Sequence, residues 1–192
     1  MGERPTRPED VDLSKYEVSQ SQYALIFPVT IMPRETVYSV YLEAQKRALQ
    51  AGIAYLSGLY PKRIVVRQLR PQDLGLPGPD WRLQVKVGMD VVLRSKVRDD
   101  QVIVIFGFYN QSPSPKVMQL ELIRDGVRRL IIVLQELYTK GYDPMGVLAD
   151  FEVLRPGDEL QLIAYSIGAG EEELGIMGYV AEPEGRVRRE PA

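Results

Sequence analysis

The chain has no cysteine and no histidine among its 192 residues. Their absence excludes thiolate nucleophiles, Ser-His-Asp triads, imidazole acid–base catalysis and Cys/His zinc sites. Any catalysis would rest on Asp, Glu, Lys, Tyr, Ser or Thr, and no cofactor is implied. A metal would need an all-oxygen shell, of the kind Mg or Ca prefers. Asparagine occurs once, as Asn110, and Arg outnumbers Lys by more than two to one. Both biases fit a thermophilic source, where thermolabile residues are scarce, and both also follow from a GC-rich genome. Long apolar runs are missing as well. Stretches such as Leu130–Leu134 stop far short of the ~18 residues that read as a membrane span. Arg4 and Arg7 are followed by no apolar block, so no secretory signal is read and a cytoplasmic location is expected.

Charge of either sign is not in excess. The chain carries 24 Lys and Arg against 26 Asp and Glu, with a pI near 5.4. That balance argues against a strongly basic nucleic-acid binder. Apolar residues make up 45%, enough to bury a sizeable core in one large domain or two small units sharing one.

What is present reads as if it were said twice. Leu69-Arg70-Pro71-Gln72-Asp73-Leu74 returns as Leu154-Arg155-Pro156-Gly157-Asp158-Glu159-Leu160. Leu25-Ile26-Phe27-Pro28 is echoed by Val104-Ile105-Phe106-Gly107, and Leu59-Tyr60-Pro61-Lys62 by Leu137-Tyr138-Thr139-Lys140. An internal repeat sets architecture. The expectation is an α+β fold of two tandem βαββ(β) units. Antiparallel sheets would pack on two long helices, related by a pseudo-twofold duplication. Residues 1–20 form a polar N-terminal arm, 21–100 the first βαβββ unit, 101–182 the second and 183–192 a C-terminal tail, the units sharing one compact domain.

Within this plan a strand covers 22–32, with Pro28 marking an edge position. Val37, Val40, Tyr41, Ala44, Ala48, Ala51, Ala54 and Tyr55 recur at helical spacing and predict a helix over 34–59. Gly52, with the alanines, permits close approach of another backbone. Strands follow over 63–69, 81–87 and 90–97. Val102 to Phe106 is continuously apolar, as a strand covered on both faces would be. Leu120, Ile123, Val127, Leu130, Ile131 and Leu134 predict a second helix over 114–140. Strands over 146–154, 159–167 and 174–181 complete the second unit, with a hairpin loop around Gly168–Gly175 whose three glutamates argue against a phosphate cradle.

Several residue groups are candidate sites. Asp90 interrupts an apolar strand and would act as a general acid or cation ligand, or pair with a basic residue. Asp150 and Glu152 share a strand face by spacing, fit for a hard cation or for solvent. Arg63, Arg67 and Arg82 around Trp81 could form a basic aromatic surface for single-stranded nucleic acid. Tyr38, Tyr41, Tyr55 and Tyr60 fall on or beside the first helix, where tyrosine suits a subunit interface or a boundary of the core.

The doubled strand–helix–three-strand order resembles the glyoxalase-type fold of the vicinal oxygen chelate superfamily, where two such modules cup a metal or ligand. Here that resemblance implies a small-molecule-binding or metal-free enzymatic module, since the chain has no His to match the family's His/Glu ligands. The split βαβ order also resembles tandem ferredoxin-like RNA-processing proteins of CRISPR systems, which carry a C-terminal glycine-rich loop. The missing catalytic residue types and the charged arms point first to a different reading. It is a non-catalytic structural subunit that forms a homo-oligomer or larger assembly, such as a phage or virus particle of a thermophilic host. A ligand-binding module and a nucleic-acid binder are the alternatives.

Overall fold

The computed structural model describes residues 26–29, 32–139 and 145–185. The expected arm over 1–20, and the tail beyond Gly185, lie outside the described residues. The elements run β1 (Ile26–Pro28), α1 (Arg34–Leu56), β2 (Ile64–Gln68), a one-turn 3-10 helix (Pro71–Leu74), β3 (Arg82–Val85) and β4 (Gly88–Lys96). They continue with β5 (Val102–Asn110), β6 (Val117–Arg124), β7 (Val127–Val133), α2 (Gln135–Thr139), β8 (Met145–Leu154), β9 (Glu159–Ser166) and β10 (Gly170–Pro183). The fold is α+β and mostly strand. The larger sheet runs β1–β8–β5–β10–β2, with β3 also on β10; the smaller runs β4–β9–β6–β7. Their pairings are antiparallel. β1, with Pro28, sits at the end of its sheet, as a proline-bearing strand must.

The layers follow from alternation. Ile103, Ile105 and Phe108 of β5 join Leu93, Leu120, Leu122, Leu160 and Leu162 in the core between the sheets. Val104 and Phe106 of the same strand face α1, beside Ala44, Ala48, Met177 and Tyr179. β5 is thus covered on both faces, which is why it reads as an unbroken apolar run. The order of layers is helix, large sheet, small sheet. α1 is seated by a narrow row, Ala44, Ala48, Gly52 and Leu56. A Cβ at Gly52 would stand 2.6 Å from the Ala181 Cβ, so glycine there is what lets the helix reach the sheet.

The expected second long helix is not there. Residues 117–133 form the β6–β7 hairpin, and only the five-residue α2 follows. The reason lies in Asp125-Gly126. Their φ values of 51° and 77° make a two-residue turn, flanked by the pair Arg124↔Val127. Asp-Gly between alternating apolar residues is a strong hairpin signal. Ile123, Val127, Ile131, Ile132 and Val133 are β-branched and favour the pleated surface. The helical spacing of Leu120, Leu130 and Leu134 coincides with strand alternation. Packing on two long helices therefore gives way to one long helix, and the two halves do not repeat a single order of elements. The loop after β9 is corrected too: it is no hairpin, because β9 lies in the small sheet and β10 in the large one.

The twin Arg-Pro-x-Asp stretches do share a local structure. The Asp73 carboxylate accepts from the Arg70 backbone N–H at 2.8 Å, and Asp158 from that of Arg155 at 2.8 Å. Gly157, with φ 86°, follows the proline of the second turn where Gln72 stands in the first, and Gly75, with φ 82°, lies beyond the first turn at the end of the 3-10 helix. What the copies have in common is a turn of the same chemistry.

Candidate assembly surfaces

α1 buries a row of small residues and leaves a second, apolar row uncovered. Tyr38 is 67% exposed and Ile53 50%, with Leu42 and Leu49 between them also exposed. The N-terminal half of this row, Tyr38 and Leu42, forms one wall of an open groove of about 920 Å³ that Val29, Met32, Arg34, Tyr41 and Tyr179 also line. Tyr41 is half-buried, edge-on to Phe106 at 4.9 Å between ring centres. Burial pushes its hydroxyl above the ordinary tyrosine pKa, so it stays neutral and serves as packing.

The opposite layer carries a second apolar field. On the outer face of the small sheet, Met89 pairs with Tyr165 and Val91 with Ile163 across β4 and β9. Met89 is 58% exposed, and Val91, Tyr165 and Ile167 are exposed as well. Sequence reasoning passed over this face. The signal was present: Leu160, Leu162 and Ala164 of β9 face inward, yet Ile163 and Tyr165 on its outward face, and Ile167 just after it, are apolar too.

The charged side chains withdrawn from water are tied to one another. Arg67 grips Asp73 with two hydrogen bonds of 2.7 Å and reaches Glu182 at 2.8 Å. Arg98 approaches Glu182 at 3.3 Å, and Gln101 donates to it at 3.1 Å. Burial works against charge on Arg67, but the bonds to Asp73 and Glu182 outweigh it and raise its pKa. Asp73 is likewise opposed by burial, yet the Arg67 and Arg70 donors hold its carboxyl below the usual range. A second cluster surrounds Asn110, which donates to Glu172 at 2.8 Å and to the Tyr138 hydroxyl at 3.0 Å. Both clusters join separate strands. Glu182 and Arg67 stand 115 positions apart, beyond any local sequence signal.

The sequence candidates scatter. Asp90 is partly buried and faces Lys86 at 3.5 Å. Asp150 is exposed, whereas Glu152 is buried against Arg124 at 2.8 Å and Arg129 at 3.5 Å. The β8–β5 register shifts in this stretch, so the two carboxylates do not act as one pair. Trp81 is only 8% exposed and belongs to the inter-sheet core. Arg63 is exposed at the start of β2, Arg67 is locked in its cluster, and Arg82 points to Asp80 and Glu171 at 3.7 and 3.5 Å. Tyr55 is exposed under the Arg155 guanidinium, and Tyr60 is half-buried against the cluster of Leu56, Ile64 and Val102. Of the four tyrosines, Tyr38 and Tyr55 reach the surface most fully.

A small cavity of about 160 Å³ lies along β10, walled by Tyr41, Gln68, Trp81, Phe106, Tyr109 and Met177. Among the described residues no group of three or more acidic side chains stands together as a metal shell, and no helix is long and apolar enough to cross a membrane. No protein-family model matches the chain. No curated protein matches it in sequence.

Proposed function

We propose that this chain is a non-catalytic structural subunit that assembles with other copies of itself or within a larger protein shell. The setting it suits best is a phage or virus particle of a thermophilic host. The observation that carries this reading is the uncovered apolar row of α1, Tyr38 to Ile53. Large apolar side chains set side by side on a surface are the mark of a contact site. The outer face of the small sheet adds a second field on the opposite layer. Buried acids and bases support the same reading, because they brace strands against each other rather than converge on a reactant. The matching Asp73 and Asp158 turns are also what supports a duplicated ancestry for the two halves, against the hairpin that stands where a second helix would be.

Light scattering on a size-exclusion column tests the proposal. The expected result is a mass above the 21.8 kDa of one chain, rising with concentration. A single-chain mass at every concentration, up to the solubility limit, overturns it.

The aromatic cavity favours a second reading, a module that binds a small planar molecule. Its volume of about 160 Å³ admits little more than one ring. A metabolite screen by thermal shift would support this reading if a ligand raised the melting point by several degrees, and if Trp81→Ala removed the effect.

A further inference from the structure

We infer that α1 is the centre of a two-fold homodimer contact, lying antiparallel against α1 of a second copy. The inference rests on the assembly reading and names the partner and the surface. Its first support is the symmetry of the exposed row. Tyr38, Leu42, Leu49 and Ile53 are spaced alike from either end, about a midpoint between Gln45 and Lys46. A two-fold contact applies one patch to itself, so its residues must match in reverse order. With Gln45 set opposite Lys46, Tyr38 meets Ile53 and Leu42 meets Leu49. Positions 38, 42, 45, 49 and 53 also advance mostly by alternating four and three residues, the seam of packed helices. Gln45, the polar residue within the seam, donates to the Tyr179 hydroxyl of its own chain, which holds it in place beside the axis. The Lys46 stem can lie along the apolar row while its ammonium stays in water.

The second support is where the row sits. α1 turns Arg47 toward the Phe151 ring of β8 on one side and Gly52 toward Ile64 of β2 on the other. The apolar row continues round the helix from Gly52, so it overhangs β2. β2 ends its sheet, and among the described residues no strand pairs with its outer edge. Area then decides what the contact must include. From Tyr38 to Ile53 the row is about 22 Å long at 1.5 Å per residue, or on the order of 200 Å² in projection for a strip ~10 Å wide. A stable specific contact buries about 800 Å² per partner. The helix row alone falls short. The groove bounded by Val29, Met32 and Val37, together with the ~17 Å edge of β2, extends the same surface. The dimer should therefore be reversible, with α1 at its centre and β2 at its flank.

The absence of cysteine makes the test free of background. Under mild oxidation Gln45→Cys, next to the axis, should give a disulfide-linked dimer. Tyr38→Cys should cross-link poorly alone but well when mixed with Ile53→Cys. Leu42→Glu, at an exposed site, should move the monomer–dimer midpoint at least about tenfold in concentration while leaving circular dichroism unchanged. If the wild-type chain is a monomer throughout, both this inference and the assembly reading fall. If it assembles but Gln45→Cys does not cross-link and Leu42→Glu has no effect, only this interface falls. Cross-linking of Met89→Cys in place of Gln45→Cys would move the contact to the small sheet and overturn the inference in the same way.

Discussion

Asp73 sits where three parts of the chain meet: the turn after β2, the guanidinium of Arg67 and the side chain of Gln101. Removing it would leave Arg67 half-paired in a site mostly out of water. Breaking such a pair from one side costs about 3 kcal/mol or more, so Asp73→Ala should lose roughly that in urea unfolding. Because the folded carboxyl is held below its ordinary value of 3.8, its contribution is full above about pH 4 and is lost as pH falls through the folded value. Asp73→Asn should flatten that acid limb. Tyr138 gives the opposite sign. Burial raises its hydroxyl above the usual 10.0, so its stabilising effect is full below pH 10 and fades as pH rises beyond it. Tyr138→Phe should flatten the alkaline limb. Gly52→Ala sets two effects against each other. Helix propensity gains about 1 kcal/mol, whereas overpacking against Ala181 and Ile64 costs about 1–3 kcal/mol. With the added carbon only 2.6 Å from its neighbour, the cost should win, and denaturant midpoints should fall.

The β6–β7 hairpin hangs on its turn. At Gly126, φ is 77°, a conformation that costs an L side chain about 1–2 kcal/mol. Gly126→Ala should lose that amount in thermal or urea unfolding, with the early loss seen by hydrogen exchange in 117–133. The same turn shows what could be read from the chain and what was masked. α1, β5 and the close approach at Gly52 were legible, because each rests on local spacing or on one residue's size. The hairpin was legible in Asp125-Gly126 as well, but apolar residues at Leu120, Ile123, Val127, Leu130 and Leu134 fit a helical period by coincidence. The echo of the first unit then favoured the helix. The exposed apolar side of α1 was half legible: Tyr38 and Tyr55 mark the helix, while Leu42, Leu49 and Ile53 look like core until the buried row of alanines is seen to occupy the other side. The Arg67–Glu182 link was not legible at all, since pairing of β2 with β10 is a tertiary event.

At the scale of the whole molecule, most of the exposed large apolar residues among those described fall on two outer layers, α1 on one side and the small sheet on the other. Use of one face gives a closed dimer; use of both permits growth beyond it. Tyr165→Lys should cap any larger assembly at the dimer without weakening the α1 contact, as sedimentation velocity would read. The large sheet itself has an uneven dependence on its parts. β10 pairs with β5 over eight residues and also with β2 and β3, yet it follows all of them in the chain. Until the ribosome has released residue 183, β2 and β3 have no described partner and one side of β5 lies bare. A nascent chain would therefore carry its stickiest strand with one edge bare from residue 110 until residue 183 has emerged, and would complete its larger sheet only after the message for β10 has been read.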